Sequence, residues 1–200
     1  MIREICVWIV TFMMIVFGSL YAYQVRKREI NPALSTWIIF LLGTGLSLTT
    51  YIIAEKHDLR SGILNMTDTM AVIIALVAII LYGNRNMRFR PFERWYLCGV
   101  AAIVAYGLWS GDAWGSNIFT QVLIAIGYLP TIQKLLTEKR NTESFTAWGC
   151  NNIASLIALY PAIVNGNSLA VMYASRSFVL TLSTIGLMAY YELRLQKKQP

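Results

Sequence analysis

Histidine is almost missing from this chain: His57 is the only one in 200 residues, and it falls in a short polar stretch between apolar runs. A histidine-based metal cluster or a catalytic triad therefore has nothing to build on. No glycine-rich loop of the kind that cradles phosphate occurs either, which argues against ATP-driven work by this chain alone. Cysteine is scarce. Cys6, Cys98 and Cys150 are odd in number and sit inside apolar runs, so they read as small packing residues and not as a disulfide framework or a metal site. Every lysine is expected in a loop or tail, with Lys134 at the very end of its apolar run, leaving no intramembrane amine for a retinal-type Schiff base. Enzyme chemistry and a resident cofactor are not expected.

Charge is scarce as well. Charged residues make up 14% against 56% hydrophobic, and a mean hydropathy of +0.53 is too apolar for an ordinary soluble domain. The apolar residues gather in seven runs, roughly 4–24, 33–53, 62–82, 94–110, 115–136, 146–164 and 168–191. Each approaches the ~20 residues that a helix needs to cross a bilayer. The runs lack period-2 alternation and are too long for barrel strands. The sequence thus predicts an all-α integral membrane protein with seven transmembrane helices. The first run follows Arg3 in the manner of a signal peptide, but it carries part of an internal repeat and is expected to belong to the mature protein.

The net charge of +7 is placed in a way that points to a bilayer and away from nucleic acid. Arg26, Lys27, Arg28, Arg85, Arg88, Arg90, Arg94, Lys134, Lys139, Arg140, Arg194, Lys197 and Lys198 all fall on one side of the predicted membrane. Only Arg3, Lys56 and Arg60 fall on the other. Short loops rich in Lys and Arg stay in the cytoplasm, so the N-terminus is expected outside and the C-terminus inside.

What the chain does contain is a repeat. Gly18-Ser19-Leu20-Tyr21-Ala22-Tyr23-Gln24 returns about 110 positions later as Gly127-Tyr128-Leu129-Pro130-Thr131-Ile132-Gln133, with Gly, Leu and Gln in register. A basic stretch follows each copy. Leu34-Ser35-Thr36-Trp37 and Phe145-Thr146-Ala147-Trp148 then open matching apolar runs. The organisation predicted is a three-helix unit over 1–84, an inner loop and linker helix over 85–113, a second unit over 114–192, and a cytoplasmic tail over 193–200. Three crossings are odd in number, so the added linker helix lets both units point the same way. That gives parallel repeats in a 3+1+3 layout, an arrangement known from secondary transporters that hold their substrate between repeats.

The match reaches the third helix of each unit. Thr67-Asp68-Thr69 aligns with Ser175-Arg176-Ser177, hydroxyl, charge, hydroxyl, with opposite charges. Each charge costs ~2.5–3.5 kcal/mol inside a span, so each is expected to face inward and find a partner. At 1.5 Å per residue the two lie roughly 8–12 Å below the outer surface. Pseudo-symmetry would bring Asp68 and Arg176 face to face, as a fixed brace, an outer gate or a direct binding pair.

Pro130-Thr131-Ile132-Gln133-Lys134 followed by Lys139-Arg140-Asn141-Thr142-Glu143-Ser144-Phe145 resembles the PQ-loop motif, in which Pro and Gln precede a basic stretch and a polar turn. The SWEET sugar transporters, the half-size SemiSWEETs and the cystinosin-type carriers share this three-helix unit. The full-length SWEET layout covers essentially the whole chain and implies an external N-terminus. The family's adjacent Pro-Gln is here spread to Pro130 and Gln133, and Tyr21 stands at the proline position of the first copy. SWEETs place an asparagine near the sugar in the third and seventh helices; here Asn65 lies near the start of the third, and the seventh has none.

The remaining candidates follow from position. Pro130 loosens its helix near the cytoplasmic end and suits a hinge, or is a static kink. Gln24 and Gln133 can hold an inner gate or cap helix ends. Asn151 and Asn152, one turn into the sixth span, need partners in lipid and can line the pore or join helices. Trp37 and Trp148 start the second and sixth spans, where tryptophan anchors to the interface or stacks on a solute. Gly43 and Gly45 read as packing residues on a face whose hydroxyls (Thr44, Ser47, Thr49, Thr50) are open to either use. The resulting expectation is a transporter moving a small polar solute, a sugar or similar, by alternating access and facilitated diffusion. The other class is a non-transporting receptor or accessory protein that binds a small ligand or peptide. The partners expected are the solute and the lipid bilayer, with homo-oligomerisation left open.

Overall fold

The computed structural model describes residues 1–30, 32, 34–55, 58–83, 91–141 and 143–196, and among them every regular element is a helix. Lys56, His57, Arg85, Arg88, Arg90, Thr142, Lys197 and Lys198 lie outside the described residues. In chain order the helices are α1 (Ile2–Lys27), α2 (Leu34–Ala54), α3 (Ile63–Tyr82), α4 (Pro91–Ser110), α5 (Ala113–Gly127), α6 (Leu129–Glu138), α7 (Phe145–Val164) and α8 (Ser168–Gln196). The expected span at 115–136 is two helices in series, α5 and α6. Counting that pair as one, six rods are long and apolar enough to cross a membrane. The predicted fourth span does not reach that standard: α4 opens on Glu93 and Arg94 and buries only Glu93 and Tyr96 along its length.

Helix ends repeat a backbone detail. α1 stops at Arg28 (φ 60°), whose N–H turns back to the carbonyls of Gln24 and Val25. α6 stops at Lys139 (φ 50°), whose N–H bonds to the Leu135 carbonyl. Among the described residues these are the non-glycine positions with positive φ, a conformation uncommon without glycine. Each follows its copy of the Gly-to-Gln segment. Side chains cap other starts: Asp112 accepts from the Gly115 N–H at 2.8 Å and Ser144 from the Ala147 N–H at 3.1 Å.

α1 packs on α3 and α7, α2 packs on α3 and α5, and α7 packs on α8. α5 and α6 also touch α8, while α4 lies against α5 and α2. Small residues make these contacts close. A Cβ on Gly18 would stand 3.2 Å from the Ala71 Cα, so α1 and α3 meet nearly backbone to backbone. Ala147, Ala154, Ala158 and Ala162 form a buried strip on α7. The outer surface is apolar, with Trp8, Phe12 and Ile15 of α1 and Met70, Ile73 and Val77 of α3 exposed. Helices suit such a surface because they satisfy their own backbone groups.

The bundle has two chemically different ends. At the N-terminal end Arg60 meets Glu4 at 3.0 Å, Arg3 donates to Asn165 at 2.9 Å, and Asn165 donates to Ser61. The opposite end carries Arg26, Lys27, Arg28, Arg94, Lys134, Lys139, Arg140 and Arg194.

Candidate functional site

In the half of the bundle nearer the N-terminal end, buried polar side chains form a seam across α2, α3, α5 and α8. Asn117 and Gln121 of α5 are four residues apart and so share a helix face. Asn117 donates to the Ser47 carbonyl at 2.8 Å and to the Thr50 hydroxyl at 2.9 Å. Gln121 donates to the Ser47 hydroxyl at 2.9 Å and to Asn117 Oδ1 at 3.0 Å. Asn65 of α3 reaches the same Ser47 hydroxyl at 3.0 Å. Arg176 of α8 closes the chain by donating Nε–H to Gln121 Oε1 at 2.9 Å. In apolar surroundings these groups are costly unless bonded, so the network fixes how four helices sit together.

Asp68 and Arg176 both face this interior, but they do not pair directly. Tyr173, one turn before Arg176 on α8, stands between them. Its hydroxyl donates to Asp68 Oδ2 at 2.6 Å, and the Arg176 guanidinium lies over its ring at 4.6 Å. The expected face-to-face ion pair is therefore corrected to an Asp68–Tyr173–Arg176 relay. The side-chain contacts across the N-terminal end are instead Arg60–Glu4, Arg3–Asn165 and Asn165–Ser61.

The other half of the bundle is aromatic. Tyr21 and Trp37 rings lie 4.5 Å apart, and Trp37, Phe40, Tyr128 and Trp148 continue the series edge to face at 5.4–6.0 Å. Beneath it is a cleft of about 40 Å³ lined by Tyr21, Trp37, Pro130, Lys134, Glu143 and Trp148 among others. One water occupies ~10–15 Å³ by this measure, so the cleft has room for a few waters. Glu143 forms its floor, accepting from the Trp148 indole at 3.3 Å and from the Tyr21 hydroxyl at 3.4 Å. Burial pushes the Glu143 carboxyl above its ordinary value of 4.5, while Lys134, Trp148 and Tyr21 hold back part of that rise. At the far end Asp112 is lowered by the Gly115 N–H and the Tyr106 hydroxyl.

The other candidates are scattered across these layers. Trp37 and Trp148 are each 6% exposed. An interface anchor must reach the headgroups, so that reading is corrected: both rings belong to the interior, drawn in by Phe40 and Tyr128. Trp109 (87%) and Trp114 (50%) are exposed near the N-terminal end. Asn152 ties α7 to α8 through the Phe178 carbonyl (2.9 Å) and the Thr181 hydroxyl (2.8 Å). Asn151 accepts from Ser155 at 3.3 Å and lies 3.5 Å from Ser177. Pro130 sits in the first turn of α6, just after the break at Tyr128, whose N–H has shifted to the Ala125 carbonyl. Gln24 has a buried, unpartnered Oε1, whereas Gln133 is exposed, so the two do not meet. Gly43 packs tightly under the Tyr96 hydroxyl, but Gly45 faces open space and Cys98 is exposed, so neither is a packing residue.

Asn117, Gln121, Tyr173 and Glu143 complete the picture without having been singled out in the sequence. The signal for the first two was available as a pair of amides four residues apart in an apolar run. In comparisons with known proteins, no family model, no curated protein and no solved structure matches the chain.

Proposed function

We infer that the chain is a carrier of the PQ-loop, SWEET-like kind, moving a small polar solute by alternating access between two parallel three-helix units joined by α4. The packing favours two units. Exchanging each helix of one unit for its counterpart in the other converts the α1–α7 contact into the α5–α2 contact. The left-handed residues Arg28 and Lys139 end matched helices in the same way. The basic end would face the cytoplasm, placing the N-terminus outside.

One observation carries the reading: a buried polar seam lies between the units, with closures above and below it. Closures at both ends around a polar centre are what a carrier needs in its occluded state. Because α5–α6 is broken beside Pro130, the lower half of that rod can tilt without disturbing the seam.

Uptake into proteoliposomes tests the carrier. In a background with Cys6, Cys98 and Cys150 replaced by serine, Ser61→Cys and Asn165→Cys place two thiols where side chains now meet across the outer end. Oxidation should abolish saturable uptake and reductant should restore it. Ligand binding without uptake would favour a receptor, and uptake unaffected by the cross-link would rule out opening at that end.

A further inference from the structure

The seam has hydrogen-bonding capacity left over, and its arrangement is directional. On α8, Arg176 uses Nε on Gln121 and its face on Tyr173, but Nη2 is buried with no partner. On α3, Asn65 Oδ1 is buried with no partner although the residue is 2% exposed. Asp68 is 8% exposed and takes its hydrogen bond on Oδ2 alone. Asn65 and Asp68 are three residues apart and so occupy one face of α3. One wall therefore offers a cationic donor and the other offers acceptors.

That polarity narrows the ligand. A neutral sugar presents hydroxyls that donate and accept alike, and gives the guanidinium no counter-charge. A carboxylate does, and its two oxygens match the planar fork of Arg. A plain carboxylate, however, would leave Asn65 and Asp68 facing it with acceptors only. The molecule that satisfies both walls carries an acceptor pair at one end and a donor next to it.

We propose that the α3–α8 seam binds a small 2-substituted carboxylate, with the carboxylate on the Arg176 guanidinium and an adjacent ammonium or hydroxyl on Asn65 and Asp68. This rests on the carrier reading for the motion that admits the ligand, since Arg176 Nη2 and Asn65 Oδ1 are buried in the present conformation. Tyr173 then serves as a positioning residue that holds Asp68 and Arg176 on opposite sides of the ligand.

The test uses the full chain in nanodiscs, with binding read by calorimetry and by thermal unfolding. The probes are L-alanine, L-lactate, alaninamide, propionate and glucose. Alanine or lactate should bind and raise the unfolding temperature; a preference for alanine assigns the donor as ammonium, and a preference for lactate assigns it as hydroxyl. Alaninamide, which lacks the carboxylate, and propionate, which lacks the donor, should bind at least about tenfold more weakly. Arg176→Gln should weaken binding by about 10–100-fold. If that variant fails to fold, Arg176→Lys keeps the charge without the fork and should still lose about tenfold. Asn65→Leu should weaken alanine or lactate binding and leave propionate unchanged. Glucose binding as tightly as the acids, or no acid binding at all, overturns the site. Acid binding without uptake would sink the carrier and keep the site, whereas glucose uptake without acid binding would do the reverse.

Discussion

Helix α1 and the α5–α6 pair carry the two matching Gly-to-Gln segments of the sequence and are packed in different ways. α1 is one unbroken rod of 26 residues whose buried face is Val10, Met14, Phe17, Gly18, Tyr21 and Val25. It meets α3 and α7 by shape, through a glycine against an alanine backbone. α5 buries Ser116, Asn117, Thr120 and Gln121 in its first half, then breaks at Tyr128 before α6 begins. Where α1 turns Trp8 and Phe12 to the lipid, α5 turns two amides to the interior. If the two are copies, as proposed, one is packed by apolar residues throughout and the other carries the buried amides.

The sharpest way to break this contrast is to move the proline. Tyr21→Pro would place in α1 what Pro130 supplies in the second copy. It removes an internal hydrogen bond and a ring packed on Trp37, and should lower stability by about 3 kcal/mol or more. Pro130→Ala, at the start of α6, should change stability by less than about 1 kcal/mol while slowing uptake. Thermal unfolding in nanodiscs gives the first quantity and proteoliposome flux the second. Equal losses for both variants would mean that the two rods are not different in kind.

Next in size is the amide face. Gln121→Leu strands the Arg176 Nε–H and Asn117 Oδ1, while Asn65 still donates to the Ser47 hydroxyl, and should cost about 2–3 kcal/mol. Phe12→Leu on the lipid side of α1 should stay within about 0.5 kcal/mol of the parent. If the ranking reverses in the same unfolding assay, the seam does not hold the bundle together.

Much of this arrangement was legible in the sequence, and the reasons for the rest are physical. Span length and hydropathy locate the rods, because a bilayer demands about 20 apolar residues wherever it is crossed. The Gly, Leu and Gln matches pointed to the two helix ends that share a left-handed turn. Register also put Asp68 and Arg176 on the same interior, but spacing along each helix says nothing about a third side chain between them, and Tyr173 intercepts the pair. Asn117 and Gln121 escaped because attention to matching residues passes over those with no counterpart in the first copy. Trp37 and Trp148 looked like interface anchors because they open spans; only packing reveals that Phe40 and Tyr128 draw them inward. Glu143 read as part of a polar loop, since sequence does not show a loop folding back beneath Tyr21.

Glycine separates the copies on a smaller scale. A Cβ at Gly18 meets the Ala71 Cα at 3.2 Å, a backbone atom that cannot turn aside. At Gly127 the nearest atom is on the Tyr96 ring, at 3.3 Å, on the peripheral α4. Gly18→Ala should therefore lose about 1 kcal/mol, overpacking outweighing the better helix propensity, while Gly127→Ala stays within about 0.5 kcal/mol. Equal shifts in unfolding temperature would remove the distinction between a backbone seam and a yielding side-chain contact.

The smallest effect is expected where the two copies touch, at Glu143 between Tyr21 and Trp148. Burial raises this carboxyl above 4.5, so the folded chain holds the proton more tightly than the unfolded chain does. The stability it contributes is fully present below the ordinary value and is lost as pH rises through the folded value. Glu143→Gln keeps the shape without the titration, so the variant should gain on the parent progressively as pH climbs from 4.5 through that window. Lys134 offsets part of the burial, which keeps the gain small. Unfolding curves of parent and variant that run parallel across the whole range would mean that the carboxylate is solvated, and that α1 does not close the lower end through Tyr21.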